Sequence, residues 1–358
     1  MNEHLHVVVI AGGSGTRFWP LSRKACPKQL LTLGGQETLI AGTFHRVAPL
    51  VASARWWMAV GQSHAEACRV AVPEVPADQL VVEPQAKNTA PAVGLAAVHL
   101  LARDPEAIMV VLPADHHVAD VAGFNAAIAA AAELAAHGPI VTLGVTPSRP
   151  DTGYGYIQRG GAEPRATGAF RVRRFCEKPD LERAKGFLAE GGYDWNAGIF
   201  VMQARTVLAE MQRQIPGVHE GLMRVAGALG TPTYAATLAA AFASMKSVSI
   251  DYGVMEGARE VCVVPVSCGW SDVGSFNALD SILGRDSDGN VVAGRAVAID
   301  SHGCVLYAGP GQVVAAIGVH DLAVIHTADA TLVVPVERAQ DVRAALAKLG
   351  EKGWSEYL

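Results

Sequence analysis

The sequence predicts an α/β protein built on a mostly parallel, doubly wound sheet, followed by a small all-β unit. Three observations carry this. In the first half, short runs that are apolar and β-branched at nearly every position alternate with helical stretches, as do strands buried on both faces and joined by crossover helices. From Gly289 onward the chain breaks into short apolar runs split by Gly, Asp, Ser and His, with almost no helical periodicity. And 358 residues, half of them apolar and 18% charged, suffice for a large core and exclude intrinsic disorder.

In order, the strand-like runs are Leu5–Ala11, Trp56–Val60, Leu80–Glu83, Ile108–Leu112 and Ile140–Val145. Helical candidates lie between them at Thr38–Leu50, Ala90–Leu101 and Phe124–His137. In such sheets ligands bind beyond the carboxyl ends of the strands, so the residues after each strand matter most. After Pro150, Tyr154–Arg159 and Ala169–Phe175 read as longer, more polar strands, partly antiparallel. Helices are expected near 180–190, 204–214 and 218–243. The C-terminal runs suggest a coiled β-roll of a few rungs with an irregular repeat. Arg338–Lys348 reads as a closing amphipathic helix. Asp286–Asn290 (DSDGN) is a linker candidate, which divides the chain into a larger domain, 1–285, and a smaller β-unit, 290–358. The apolar β-unit suggests a homodimer.

Twenty-nine Lys and Arg against 34 Asp and Glu leave a net charge of −5, so no basic excess marks a nucleic-acid or anionic-membrane binder. The six cysteines are scattered without a CxxC pair, against a disulfide framework or structural zinc. The N-terminus lacks a signal-peptide pattern and no apolar run is long enough to span a membrane, which points to a cytoplasmic protein.

The first strand runs into AGGSGTR. Gly12, Gly13 and Gly15 allow a tight turn that brings N–H groups up to an anion, and Thr16, Arg17 and Lys28 follow closely. The loop is neither a Walker A motif nor a GxGxxG fingerprint, because Phe18 stands where the last glycine belongs. By itself it is a glycine-rich turn; with Arg17 and Lys28 it favours a phosphate cradle. The stretch GGSGTRFWPLSRKACPKQLL resembles the N-terminal signature of sugar-1-phosphate nucleotidylyltransferases, and in its TRFWPLSR…PKQ form the mannose-1-phosphate guanylyltransferase branch. The resemblance implies a Rossmann-like catalytic domain whose glycine loop wraps the nucleotide phosphates, with Arg17 and Lys28 neutralising the triphosphate.

Further motifs follow in the family's order. EPQAKNTAP (Glu83–Pro91) reads as a strand-to-helix turn with Asn88 or Thr89 as N-cap. It resembles the segment that contacts guanine and ribose, which assigns nucleotide binding to Glu83, Pro84, Asn88 and Thr89; Lys87 replaces the commoner arginine. LPADHH ends the fourth strand. Its adjacent histidines suit zinc poorly, whereas a carboxylate beside a triphosphate suits Mg²⁺, which takes one or two carboxylates plus phosphate oxygens and water. The resemblance to the PADH motif makes Asp115 that ligand. DTGYGYI places Tyr154 and Gly155, FCEKP places Glu177 and Lys178, and WNAGIF places Asn196, all in what the family uses as a sugar pocket. There Glu177 would take sugar hydroxyls and Lys178 the sugar phosphate; Ala197 stands where the family has serine. SIDYGVME reads as a packed helix start, with Asp251 a cap or a supporting group. WSDVGS supplies Asp272, by resemblance the second metal ligand.

The resemblance spans about residues 6–345 and implies a GTP-dependent enzyme that converts α-D-mannose 1-phosphate to GDP-mannose and pyrophosphate. Its catalytic residues would be Arg17, Lys28, Asp115, Lys178 and Asp272, with Mg²⁺. Other nucleotide and sugar-phosphate pairs, or a non-catalytic GDP-mannose sensor, are the alternatives. Isomerase activity is not expected, since no clustered His and Glu ligands of a cupin-type domain are present. Loss of residues from 290 onward is expected to affect assembly or stability more than chemistry.

Overall fold

The computed structural model describes residues 2–13 and 15–358. Two compact units form, and they do not follow the chain in simple order. One comprises Met1–Gly12, Thr43–Ala114 and Asp120–Trp270; the other comprises Gly13–Gly42, Asp115–Ala119 and Ser271–Leu358. The segment with Arg17 and Lys28 therefore shares a unit with the C-terminal β-strands.

The first unit holds a nine-stranded sheet: β1 (Leu5–Ala11), β2 (Trp56–Gly61), β3 (Leu80–Glu83), β4 (Ile108–Pro113), β5 (Ile140–Val145), β6 (Tyr156–Ala162), β7 (Phe170–Cys176), β8 (Tyr193–Gln203) and β9 (Val261–Val266). Their order across the sheet is β3-β2-β1-β4-β8-β5-β9-β7-β6. The pairs β1–β2, β1–β4, β2–β3 and β5–β9 are parallel. The early apolar runs thus form strands as the sequence predicts, their ends within a residue. Helix Thr89–Leu101, almost wholly buried, covers one face; Val8, Trp57 and Met109 point into the same core.

Two features depart from the sequence reading. β8 is inserted between β4 and β5 and runs antiparallel to both, although nothing in its composition set it apart as a strand. And the stretch 218–243 is two helices, Pro216–Ala228 and Tyr234–Ser244, because the intervening LGTPT carries a positive-φ Gly230 and a proline. Further helices lie at Leu39–Val47, Ala65–Ala71, Val121–Ala135, Leu181–Glu190 and Ala204–Gln214.

The second unit coils six short strands: β10 (Val291–Ala293), β11 (Ala296–Ile299), β12 (Val305–Ala308), β13 (Val314–Ile317), β14 (Leu322–His326) and β15 (Thr331–Pro335). β10, β12 and β14 stack in parallel, as do β11 and β13, and β15 returns antiparallel to β14. Val291 pairs with Val305 and Val305 with Ala323, so the rungs are unequal, which is why the repeat looks irregular in sequence. One face of the coil packs on the N-terminal segment: Phe18, Trp19, Leu33, Val273 and Phe276 share a core with Val291, Val305, Ile325 and Val342. The closing helix is Val342–Glu351, preceded by a 3₁₀ turn from Val336, a few residues beyond the stretch expected. Among the described residues no helix is long and apolar enough to cross a membrane.

Candidate functional site

The predicted site residues fall into two groups, one in each unit. The first is built around the glycine loop. Gly15 adopts φ 59°, and a Cβ there would stand 2.2 Å from Cβ of Lys28, so only glycine permits this approach. Ser22 Oγ donates to the Gly15 carbonyl at 2.7 Å and closes the turn. The 3₁₀ turn Thr16–Phe18 follows; Phe18 is buried with its ring 5.0 Å from that of Phe276. The Arg17 side chain is half-buried and makes no hydrogen bond or ion pair among the described residues.

Lys28 is 5% exposed. Its Nζ donates to Asp115 Oδ2 at 2.8 Å and to the backbone carbonyl of Asp272 at 2.7 Å, and lies 5.7 Å from the centre of the Phe18 ring. One buried ammonium thus ties together residues separated by 87 and 244 positions. Burial pushes the Asp115 carboxyl up, but the Lys28 and His116 charges outweigh it and hold the group below the usual carboxylate range. Asp272 is packed against Gly274, where a Cβ would meet Oδ2 at 2.8 Å, and is followed by the buried Val273 at φ 47°. A β-branched residue in that region is strained, by roughly 1–3 kcal/mol. Among the described residues no three His, Cys, Asp or Glu side chains gather as a metal cage. An ionised Asp115, with Asp272 anchored through its backbone carbonyl to the same ammonium, instead fits a hard cation that takes its remaining oxygens from phosphate and water.

The second group lies in the nine-stranded unit. β3 ends at Glu83, which is 5% exposed with Oε1 lacking a hydrogen-bond partner. Burial pushes its carboxyl up to about 7. Pro84 leads into a turn in which Asn88, at φ 68°, caps helix Thr89–Leu101 by accepting from the Thr89 N–H at 2.8 Å. Thr89 Oγ1 accepts from the Ile250 N–H at 2.8 Å. Both residues therefore serve the loop's own architecture, and Lys87 donates to the Ala243 carbonyl.

Among the residues expected to meet the sugar, the Tyr154 ring meets Trp195 and Trp270 edge-on at 5.0 and 5.5 Å. A Cβ at Gly155 would stand 2.5 Å from Glu177 Oε2, and the Gly155 carbonyl accepts from the Asn196 N–H at 2.8 Å. Glu177, whose side chain is 5% exposed, pairs with Lys178, itself at φ 44°. Asn196 Oδ1 accepts from the Thr142 hydroxyl and the Gly198 N–H, both at 3.1 Å, and Nδ2 donates to Asp251 Oδ1 at 3.0 Å. Ala197, where the family has serine, is buried. Sequence reasoning did not mark Thr142, and it read Asp251 as a cap or a supporting group; the bond from Asn196 makes it the latter. The signal for Asp251 was present in the SIDYG motif, but its cap role belongs to Ser249, whose Oγ accepts from the Tyr252 N–H.

Residues 6–286 match the family described as nucleotidyl transferase, and residues 294–349 match the MannoseP isomerase/GMP-like beta-helix domain. The chain is 38% identical to the alginate biosynthesis protein AlgA of Pseudomonas aeruginosa, over 98% of this chain and 73% of that protein. It is 37% identical to a mannose-1-phosphate guanylyltransferase of Klebsiella pneumoniae, over 98% of this chain and 75% of that one. A solved structure named as mannose-1-phosphate geranyltransferase from Thermus thermophilus superimposes with a TM-score of 0.87 at 38% identity, covering 97% of this chain and 99% of that one.

Proposed function

The chain belongs to the nucleotidyl transferase family, and from that premise we propose that it transfers GMP from GTP to α-D-mannose 1-phosphate, forming GDP-mannose and pyrophosphate. The observation that carries this reading is the Lys28 ammonium held between Asp115 and Asp272, next to a glycine loop that bears Arg17.

The acceptor phosphate is mostly dianionic at neutral pH, since its second pKa is about 6. It needs no general base, and none is invoked. The obstacle is repulsion between two polyanions, so the work falls to charge neutralisation and in-line positioning. Arg17 would meet the triphosphate, and backbone N–H groups of the glycine loop would cradle it. Lys178 would hold the attacking phosphate, while Glu177 and Asn196 orient the hexose. Glu83, Pro84, Asn88 and Thr89 would line the base and ribose. Lys28 keeps Asp115 ionised and in place. Asp115 and Asp272 would hold Mg²⁺, which when bound neutralises phosphate oxygens as charge builds on the leaving pyrophosphate.

A cytoplasmic homodimer completes the proposal. Val297, Ile299 and Ile317 form an exposed apolar row on β11 and β13, which supports self-association; sedimentation tests it.

The test of activity is pyrophosphate release with Mg²⁺, crossing GTP, ATP, UTP and dTTP with mannose and glucose 1-phosphates. Release confined to GTP with mannose 1-phosphate is the expected result. Release with another pair corrects the specificity; no release while GDP-mannose binds makes the chain a sensor.

A further inference from the structure

We propose that Asp251 is a specificity-determining residue of the sugar half-site, its carboxylate aimed by Asn196 to accept a hydroxyl of the hexose. The inference rests on the transferase reading above and deepens it.

The orientation of Asn196 follows from its partners. Its Oδ1 accepts from the Gly198 N–H, a donor that the amide NH₂ group cannot satisfy; Thr142 Oγ1 lies 3.1 Å from the same oxygen and 3.1 Å from the Ile199 carbonyl. The NH₂ group must therefore face the other way, and there it meets Asp251 Oδ1 at 3.0 Å. Asn196 is 8% exposed and tied down on both sides, so it acts as much to aim Asp251 as to contact a ligand. Among the described residues Asn196 is the one side chain that hydrogen-bonds the Asp251 carboxylate.

The backbone that carries Asp251 is equally well held. The short helix Ile250–Gly253 is capped by Ser249. The Ile250 N–H donates to Thr89 Oγ1, the Val248 N–H to the Lys87 carbonyl at 3.2 Å, and the Ala90 N–H to the Val248 carbonyl at 3.1 Å. These bonds join the Asp251 helix to the EPQAKNTAP loop, so the carboxylate is presented from a fixed frame.

Charge indicates what it is presented to. Glu177 and Asp251 place two carboxylates around the single ammonium of Lys178. A surplus carboxylate in a half-buried site is costly unless a donor arrives, and it opposes the binding of a phosphate. A hexose hydroxyl is such a donor, neutral and compatible with the phosphate of the same ligand sitting on Lys178. Burial and the Glu177 charge together raise the Asp251 carboxyl to about 6.

The test is steady-state kinetics of the full chain and of Asp251→Asn with GTP and mannose 1-phosphate, repeated with the 2-, 3-, 4- and 6-deoxy mannose 1-phosphates. Asp251→Asn is expected to raise KM for mannose 1-phosphate roughly 10- to 100-fold, the worth of one hydrogen bond to a charged group, with KM for GTP within about twofold. One deoxy analogue should be used equally by both forms, because the hydroxyl that Asp251 holds is missing from it. Asp251→Ser serves the same comparison if Asp251→Asn fails to fold. An unchanged KM for mannose 1-phosphate, or an equal penalty on every deoxy analogue, overturns the role of Asp251 while leaving the transferase reading intact. A wild-type chain that releases no pyrophosphate with any sugar 1-phosphate overturns that reading, and the inference with it.

Discussion

Asp115 and Glu83 are both carboxylates at strand ends, and their surroundings drive them in opposite directions. Asp115 is held ionised by Lys28; replacing it with Ala removes the carboxylate partner of a buried ammonium that also donates to the Asp272 carbonyl. We expect Asp115→Ala to lower turnover by about 10²–10³-fold, measured as pyrophosphate release, while the chain stays folded by circular dichroism. Near-normal turnover would reject the metal-ligand assignment. Glu83 has no such cation, and burial lifts its carboxyl from 4.5 to about 7. A carboxyl raised on folding favours the folded state below its unfolded pKa, and that contribution is lost as pH rises from about 4.5 through 7. At pH 8 wild-type Glu83 therefore costs on the order of 3 kcal/mol. Glu83→Gln should raise the thermal midpoint at pH 8, show no gain at pH 4.5, and weaken GTP binding. A gain of the same size at both pH values would show that charge is not its cause.

Two loops from distant parts of the chain form one element-scale assembly. The EPQAKNTAP loop and the SIDYG helix share the hydrogen bonds of Lys87, Thr89 and Ala90 with Val248 and Ile250. Thr89→Val removes only the hydroxyl that receives the Ile250 N–H. It should cost about 1–2 kcal/mol in unfolding free energy and raise KM for both substrates together, since each loop would lose its support. A rise in KM for GTP alone would show that the loops act separately. Helix Thr89–Leu101 is placed by similarly close packing. A Cβ at Gly94 would stand 2.3 Å from Leu222 and 2.9 Å from Met211 Sδ, so Gly94 sets how closely the helices approach.

At the scale of the molecule, the C-terminal β-coil is not an appendage. Phe18, Trp19 and Phe276 lie in one core with Val291, Val305 and Val342, and the Trp19 indole N–H donates to the Tyr357 carbonyl at 2.7 Å. The expectation from sequence is that removing residues from 290 onward affects assembly or stability more than chemistry; this packing adds the glycine-loop segment to what such a truncation would disturb. Truncation strips the apolar cover from the turn that bears Arg17 and from the segment after Asp272. We now expect a chain ending at residue 289 to lose nucleotide binding together with stability, read by calorimetric titration with GTP and by thermal unfolding. A truncated chain that binds GTP as tightly as the full one would restore the view of an independent unit.

The parallel strands, the helices between them, the β-unit after Gly289 and the ordered motifs were all legible in the sequence, because each is written in neighbouring residues: apolar runs with a fixed period, glycines at turns, charges a few positions away. Even Gly15 and Gly155 could be marked from the residues beside them. The structure alone decided what depends on partners far along the chain. The reversed strand Tyr193–Gln203 is defined by the strands on either side of it, not by its own composition. The bridge from Lys28 to Asp115 and Asp272 spans segments 87 and 244 residues apart. Asp251 becomes a candidate ligand only because the Gly198 N–H turns the Asn196 amide so that its NH₂ group faces the Asp251 carboxylate. Local patterns set which residues have the right chemistry; burial and cross-chain hydrogen bonds set which of them are charged, oriented and together.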